Sequence, residues 1–282
     1  MTSDALFDFS LIPKDHVITI LVRRIFSRLN KIGYTHMWRI PTYLALDHYK
    51  KEIECEDFHY RWLSPFNGLL FKEAGNQSKF VPKWLQTKLS LFIGILTNGE
   101  IEKDQFCNHL GEDLFADFVS KRLLTPSDRR YRLPFRIIPT PFAWLLADPM
   151  GNQDPLTIHI GLDSILLANF LLQKRITYNS LVDLGCGTAV HAIILKHINP
   201  QSHTLCIDLN PRALECARAN TFLNGLMTGF SFKKGNWFDG IGSPNEKQFD
   251  IILCNPPFEW RMNNEIDAQK ICAYGGQSFG LD

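Results

Sequence analysis

From residue 180 onward, short apolar runs alternate with longer stretches of helical period. SLVDLG (180–185) has the length of a buried strand, and TAVHAIILKHI (188–198) follows it with helical spacing. HTLCIDLN (203–210) and PRALECARANTFLN (211–224) repeat the pair. GFSFKKGNWF (229–238) predicts a third strand with its exit, and FDIILCN (249–255) a fourth. Strands separated by helices of this length pair in parallel through right-handed crossovers, so this half is expected to be an open α/β sheet. Just before it, IHIGLDSILLANFLL (158–172) predicts a helix with Asp163 or Ser164 as its cap.

Upstream the period is mainly helical. Residues 14–32 put Val17, Leu21, Ile25 and Leu29 on one stripe, with Arg24, Arg28 and Lys31 elsewhere. Further helices are predicted over 83–97, 102–110 and 112–124, then extended segments around RRYRLPFRII. Three short helices followed by a basic hairpin resemble a winged helix, a fold that often docks on nucleic acid. Arg129, Arg130, Arg132 and Arg136 are then either a contact surface or a solvated hairpin face. LADPMGNQDP (146–155), rich in Pro, Gly, Asn and Asp, marks a linker or long turn.

Composition narrows the class. Of 282 residues, 45% are hydrophobic and 21% charged, as in a soluble globular protein with a sizeable core. No apolar run reaches the ~18 residues of a membrane span. The start, MTSDALFDFS, has neither a basic n-region nor an apolar h-region. Cys55, Cys107, Cys186, Cys206, Cys216, Cys254 and Cys272 are scattered without metal-binding spacing. Free thiols in a reducing, cytoplasmic compartment are expected, with no metal and no membrane partner. The net charge of +1 is too small to establish a nucleic-acid partner by itself.

The candidate chemistry lies at the strand ends. Gly185 and Gly187 occupy a strand-to-helix turn, where residues without a Cβ let a ligand approach the backbone. The dinucleotide fingerprint wants a third glycine where this chain has Val190, which disfavours a pyrophosphate ligand. Asp183 lies within the first strand and Asp208 ends the second. An acid at that tip is placed to accept hydrogen bonds from both hydroxyls of a ribose. Asp208 would otherwise cap the helix opening at Pro211, a task open to Asn210 as well.

VDLGCGTAV, CIDLNPRALECARAN, GNWF and DIILCNPPF stand in the order found in class I S-adenosylmethionine-dependent methyltransferases. More narrowly, the chain resembles the branch that methylates planar nitrogens, including release-factor glutamine methyltransferases and the amino-group methyltransferases of RNA and DNA bases. The resemblance covers residues 156–282. It implies a Rossmann-like sheet with S-adenosyl-L-methionine at the carboxyl ends of the strands. By that likeness Asp183, Gly185 and Gly187 border the methionine part and Asp208 holds the ribose. Asn236 meets the adenine where an Asp is frequent, and Trp237 covers the adenine face or belongs to the core. Residues 1–150 become a helical, winged-helix-like region that recognises a macromolecular substrate, either ribosomal or other RNA or a translation-related protein. The chain ends at Asp282, soon after the fourth strand, so the domain is expected to lack the last strands of such a sheet.

The resemblance also gives the NPPF stretch a task. An amide or exocyclic amino nitrogen is a poor nucleophile because its lone pair is delocalised. Two acceptors on its N–H groups favour a pyramidal nitrogen whose lone pair points at the methyl group. Asn255 Oδ1 and the Pro256 carbonyl are the candidates, held by the rigid pair Pro256 and Pro257. Phe258 would pack on the planar target. Read alone, NPPF is a strand-stopping turn. YGGQSFGLD (274–282) resembles the glycine-rich segment of the glutamine-modifying branch, whereas that branch's proline-containing signature is absent near 158–172. The alternative to an N-methyltransferase is a non-catalytic binding module of the same fold.

Overall fold

The computed structural model describes residues 6–35, 83–97, 99–150, 152, 154, 156–236 and 249–256. In chain order, α1 (Leu11–Lys14) and α2 (His16–Lys31) come first, then α3 (Lys83–Leu96), β1 (Glu100–Ile101), α4 (Lys103–Leu110) and α5 (Glu112–Ser120). Asp15 starts α2 by accepting from the Val17 and Ile18 N–H groups at 2.8 and 3.1 Å. The buried face of α2 is Ile18, Leu21, Val22, Ile25, Phe26 and Leu29. Val17, expected on that stripe, falls at its margin and is exposed. Helix α5 stops four residues short of expectation because Arg122 is left-handed (φ 57°), which turns the Leu123 and Leu124 N–H groups back onto the Phe118 carbonyl.

Next come β2 (Thr125–Ser127), β3 (Arg130–Arg132), β4 (Arg136–Pro139) and β5 (Trp144–Ala147). RRYRLPFRII therefore contributes to two sheets. β3 pairs antiparallel with β2 and β1, in the order β1-β3-β2, while β4 pairs with β5. Arg136 does not belong to a solvated face. It is buried, and its Nε donates to the Asp148 carbonyl at 2.7 Å. That burial lowers its pKa to about 10, against the opposing pull of Asp148.

The remaining elements are α6 (Leu162–Lys174), β6 (Ser180–Leu184), α7 (Val190–Ile198), β7 (His203–Asp208), α8 (Pro211–Leu223), β8 (Phe230–Lys234) and β9 (Ile251–Cys254). The four strands pair in parallel in the order β8-β7-β6-β9, a Rossmann-like sheet. Leu181, Cys206 and Leu253 pack with α6 and α7 on one face.

Helix α8 is apolar on two sides, which joins this sheet to the amino-terminal elements. Leu214 and Ala217 face the sheet cluster; Ala213, Cys216, Ala219 and Leu223 join the core built by α1 and α2. The small side chains allow close approach on both sides. Asn220 and Asn224, one turn apart, also bond to the free edge of β5. Their Oδ1 atoms accept from the Leu146 and Trp144 N–H groups at 2.8 and 2.9 Å, and their Nδ2 atoms donate to the same residues' carbonyls. Two amides thus stand in for a neighbouring strand.

The stretch expected as a linker or long turn at 146–155 begins inside the fold. Asp148 is fully buried and accepts from the Ile158 N–H at 2.7 Å. Its carboxylate takes both arms of the Arg212 guanidinium, which also donates to the Phe7 carbonyl at 2.8 Å. Among the described residues Cys107, Cys186, Cys206, Cys216 and Cys254 are free thiols, and no helix is long and apolar enough to cross a membrane.

Candidate active site

The strand register places three of the expected residues together. Leu184, the last residue of β6, lies opposite Ile207 on β7 and Cys254 on β9. One step further, Gly185 falls between Asp208 and Asn255. The chain runs from β6 outward through β7 and β8, then returns to the other side of β6 as β9. Such a reversal opens a crevice at the strands' carboxyl ends. Gly185 and Gly187 both take left-handed φ values, 66° and 52°, and a Cβ built on either would meet no atom within 4 Å. The space above the loop is open, and side chains there would fill it.

The first flank is acidic. Asp208 Oδ2 accepts from the Gly187 N–H and Oδ1 from the Asn210 N–H, both at 2.9 Å. Each oxygen keeps a lone pair for a ligand hydroxyl. Asn210 caps α8 by accepting from the Arg212 N–H at 3.0 Å, so the cap falls to it and not to Asp208. Behind Asp208 lies Asp183, buried, with an Oδ2 that has no hydrogen-bond partner. Burial, and then the charge of Asp208, raises its pKa to about 7. Asp208 is raised too by burial, with the Gly187 and Asn210 N–H groups opposing the shift. An orphaned carboxylate oxygen beside a second acid and an open glycine loop suits a cationic ligand that carries hydroxyls.

The second flank presents an amide. Asn255 follows β9, and its Nδ2 donates to Asp163 Oδ2 at 2.6 Å and to Ser164 Oγ at 3.1 Å. Both partners lie in the first turn of α6. Either had been expected to cap that helix; the N-cap position is instead Gly161, with no side-chain cap. A Cβ at Gly161 would strike the Asp163 carboxylate, so glycine there makes room for it. The buried ring of His191, at the start of α7, donates from Nε2 to the Ser164 carbonyl at 3.0 Å. Burial lowers the His191 pKa, which favours the neutral ring. Among the described residues nothing donates to Asn255 Oδ1 or to the carbonyl of half-buried Pro256.

Sequence reasoning missed His191 altogether, since a lone histidine in an apolar helix gives no signal of its partner. It found Asp163 and Ser164 only as helix-start residues. Asn236 is exposed just beyond β8, where the Gly235 N–H donates to the Asp208 carbonyl at 3.2 Å. Trp237, Pro257, Phe258 and the segment 274–282 lie outside the described residues.

The family model of the methyltransferase small domain matches residues 159–274. A ribosomal RNA large subunit methyltransferase G from Vibrio parahaemolyticus is 31% identical over 182 residues, 56% of this chain and 44% of that protein. Its namesake from Shewanella amazonensis is 36% identical over 110 residues, 35% of this chain and 28% of that one. A release factor glutamine methyltransferase from Deinococcus radiodurans is 32% identical over 101 residues, 36% of this chain and 31% of the relative. The chain spans less than half the length of these curated relatives.

Proposed function

We propose that this chain, whose residues 159–274 match the family model of the methyltransferase small domain, is a class I S-adenosylmethionine-dependent methyltransferase that transfers a methyl group to a planar nitrogen of a macromolecule. One observation carries the reading: the Asn255 amide stands at the crevice beside Gly185, its Nδ2 engaged and its Oδ1 without a donor among the described residues. S-adenosyl-L-methionine, when bound, supplies a methyl group on a sulfonium. Asp183 and Asp208 fit its positive charge and ribose hydroxyls, and the open loop at Gly185 and Gly187 fits its backbone approach. Asn236 and Trp237 are assigned to its adenine.

At the acceptor, Asn255 Oδ1 and the Pro256 carbonyl accept hydrogen bonds from the two N–H groups of the target. That draws the nitrogen lone pair out of conjugation and toward the methyl group. Pro257 and Phe258, outside the described residues, keep the roles that the motif resemblance gives them, a rigid residue beside the acceptors and an aromatic ring for the planar target. No strong base is required early, because the proton leaves after transfer.

An RNA base is the first candidate acceptor, since two of the relatives are named as ribosomal RNA methyltransferases; a protein glutamine is the second, after the third. The amino-terminal order α3, β1, α4, α5, β2, β3 supports a winged-helix-like recognition region. There Asp113 and Asp117 of α5 are held by Arg24 and Arg28 of α2, and Arg130 of the β2–β3 hairpin pairs with Glu100 and Glu102 at 3.4 and 3.8 Å, so exposed Arg129 is the candidate basic contact of the hairpin. A translation substrate places the work in the cytoplasm.

The test is tritiated methyl transfer from S-adenosylmethionine into large-subunit ribosomal RNA and into release factor, followed by hydrolysis and chromatography of the product. An N-methylated base or N-methylglutamine supports the reading. Label in neither acceptor, or on carbon or oxygen, contradicts it.

A further inference from the structure

An asparagine amide carries an acceptor on one arm and a donor on the other, and half a turn about its last bond exchanges them. Only one arm serves a target N–H: Oδ1 accepts its proton, whereas Nδ2 in the same place would repel it. Something must therefore choose the arm. The two contacts on Nδ2 make that choice.

An ionised carboxylate can only accept. With Asp163 Oδ2 at 2.6 Å, a turned amide would set two oxygens against each other with no proton between them. Ser164 acts in the same sense. Its Oγ lies 3.3 Å from Asp163 Oδ2, which takes its proton and leaves an Oγ lone pair facing Nδ2 at 3.1 Å. The pair is itself fixed. Ser164 is anchored through its carbonyl to His191, and Gly161 leaves space for the Asp163 carboxylate. A charge-assisted bond on Nδ2 also polarises the amide and makes Oδ1 a better acceptor.

We propose that Asp163, seconded by Ser164, is the positioning residue that holds the Asn255 amide with Oδ1 toward the target nitrogen. This rests on the N-methyl transfer reading above.

The test has two arms on the full chain. In the first, the side-chain amide of 15N-labelled protein is assigned to Asn255 by its loss in Asn255→Asp. One of its protons is expected downfield and slowly exchanging, and Asp163→Ala returns it to the position of a free amide. In the second, methyl transfer is measured with whichever of ribosomal RNA or release factor accepts label. Asp163→Ala is expected to lower kcat roughly 10- to 100-fold, the loss of one charge-assisted hydrogen bond, with KM for S-adenosylmethionine unchanged. Asp163→Asn, able to turn its own oxygen to Nδ2 but without the charge and with a donor arm as well, should restore part of the rate. On an Asn255→Ala background Asp163→Ala should cost nothing further. A wild-type rate in Asp163→Ala, or an equal loss on both backgrounds, overturns the proposal while leaving N-methyl transfer standing. If neither acceptor takes label, the transfer reading fails and the amide resonance still decides: unmoved by Asp163→Ala, it overturns the orientation.

Discussion

The tips of β7 and β9 flank the same glycine and are built in opposite ways. Asp208 is held by its own neighbourhood, through the N–H groups of Gly187 and Asn210. Asn255 is held by side chains 91 and 92 residues away in sequence. The first tip offers charge and lone pairs to a ligand that must be gripped. The second offers one acceptor in one orientation to a group that must react. A holding site tolerates some play, because several contacts share the load; an aligning site does not.

That division of labour can be broken by substitution. Asn255→Ala should lower kcat for methyl transfer by about 10²–10³-fold, the scale for removing one preorganised polar group from a reacting centre. Binding of S-adenosylhomocysteine should survive, and steady-state rates set beside calorimetry will show whether it does. Asp208→Ala should do the reverse, weakening that binding roughly 100-fold as two charge-assisted hydrogen bonds are lost.

A smaller effect follows from Asp183, whose pKa stands at about 7 against an ordinary 3.8. The native chain keeps a proton that the unfolded chain has released over that interval. Stability from this group is therefore full below about pH 4 and declines as pH rises to about 7. Cofactor binding moves the other way, since the ammonium and sulfonium need the ionised acid. Affinity for S-adenosylmethionine should rise roughly tenfold from pH 6 to pH 8, and Asp183→Asn should flatten the curve. The smallest change is expected from Asn210→Ala, which removes the α8 cap at about 1 kcal/mol of stability in denaturant melts.

The same contrast explains what the sequence disclosed. Strands β6 to β9 and helices α7 and α8 were legible because each is announced by its own residues: an apolar run, a Gly or Asn-Pro punctuation, a helical period. The glycine loop, Asp208 and Asn255 fell at their tips for the same reason. Contacts between distant segments were not legible. Arg136 read as part of a solvated basic hairpin, yet it is buried against the Asp148 carbonyl. Asp148 read as part of a linker or long turn, yet it is the buried partner of Arg212, 64 residues on. Asp163 satisfied every local rule for a cap and serves the tip of β9 instead. Local rules describe what a residue can do for its own helix, and burial or a remote partner overrides them.

The central question is whether this crevice holds the methyl donor. The most direct measurement is calorimetric titration of the chain with S-adenosylhomocysteine, alongside Asp208→Ala. Binding at one site with a micromolar Kd, about −8 kcal/mol, is predicted for the parent chain, with a marked loss in the variant. A folded parent chain that releases no heat with the ligand, or a variant that binds as tightly as the parent, would contradict it.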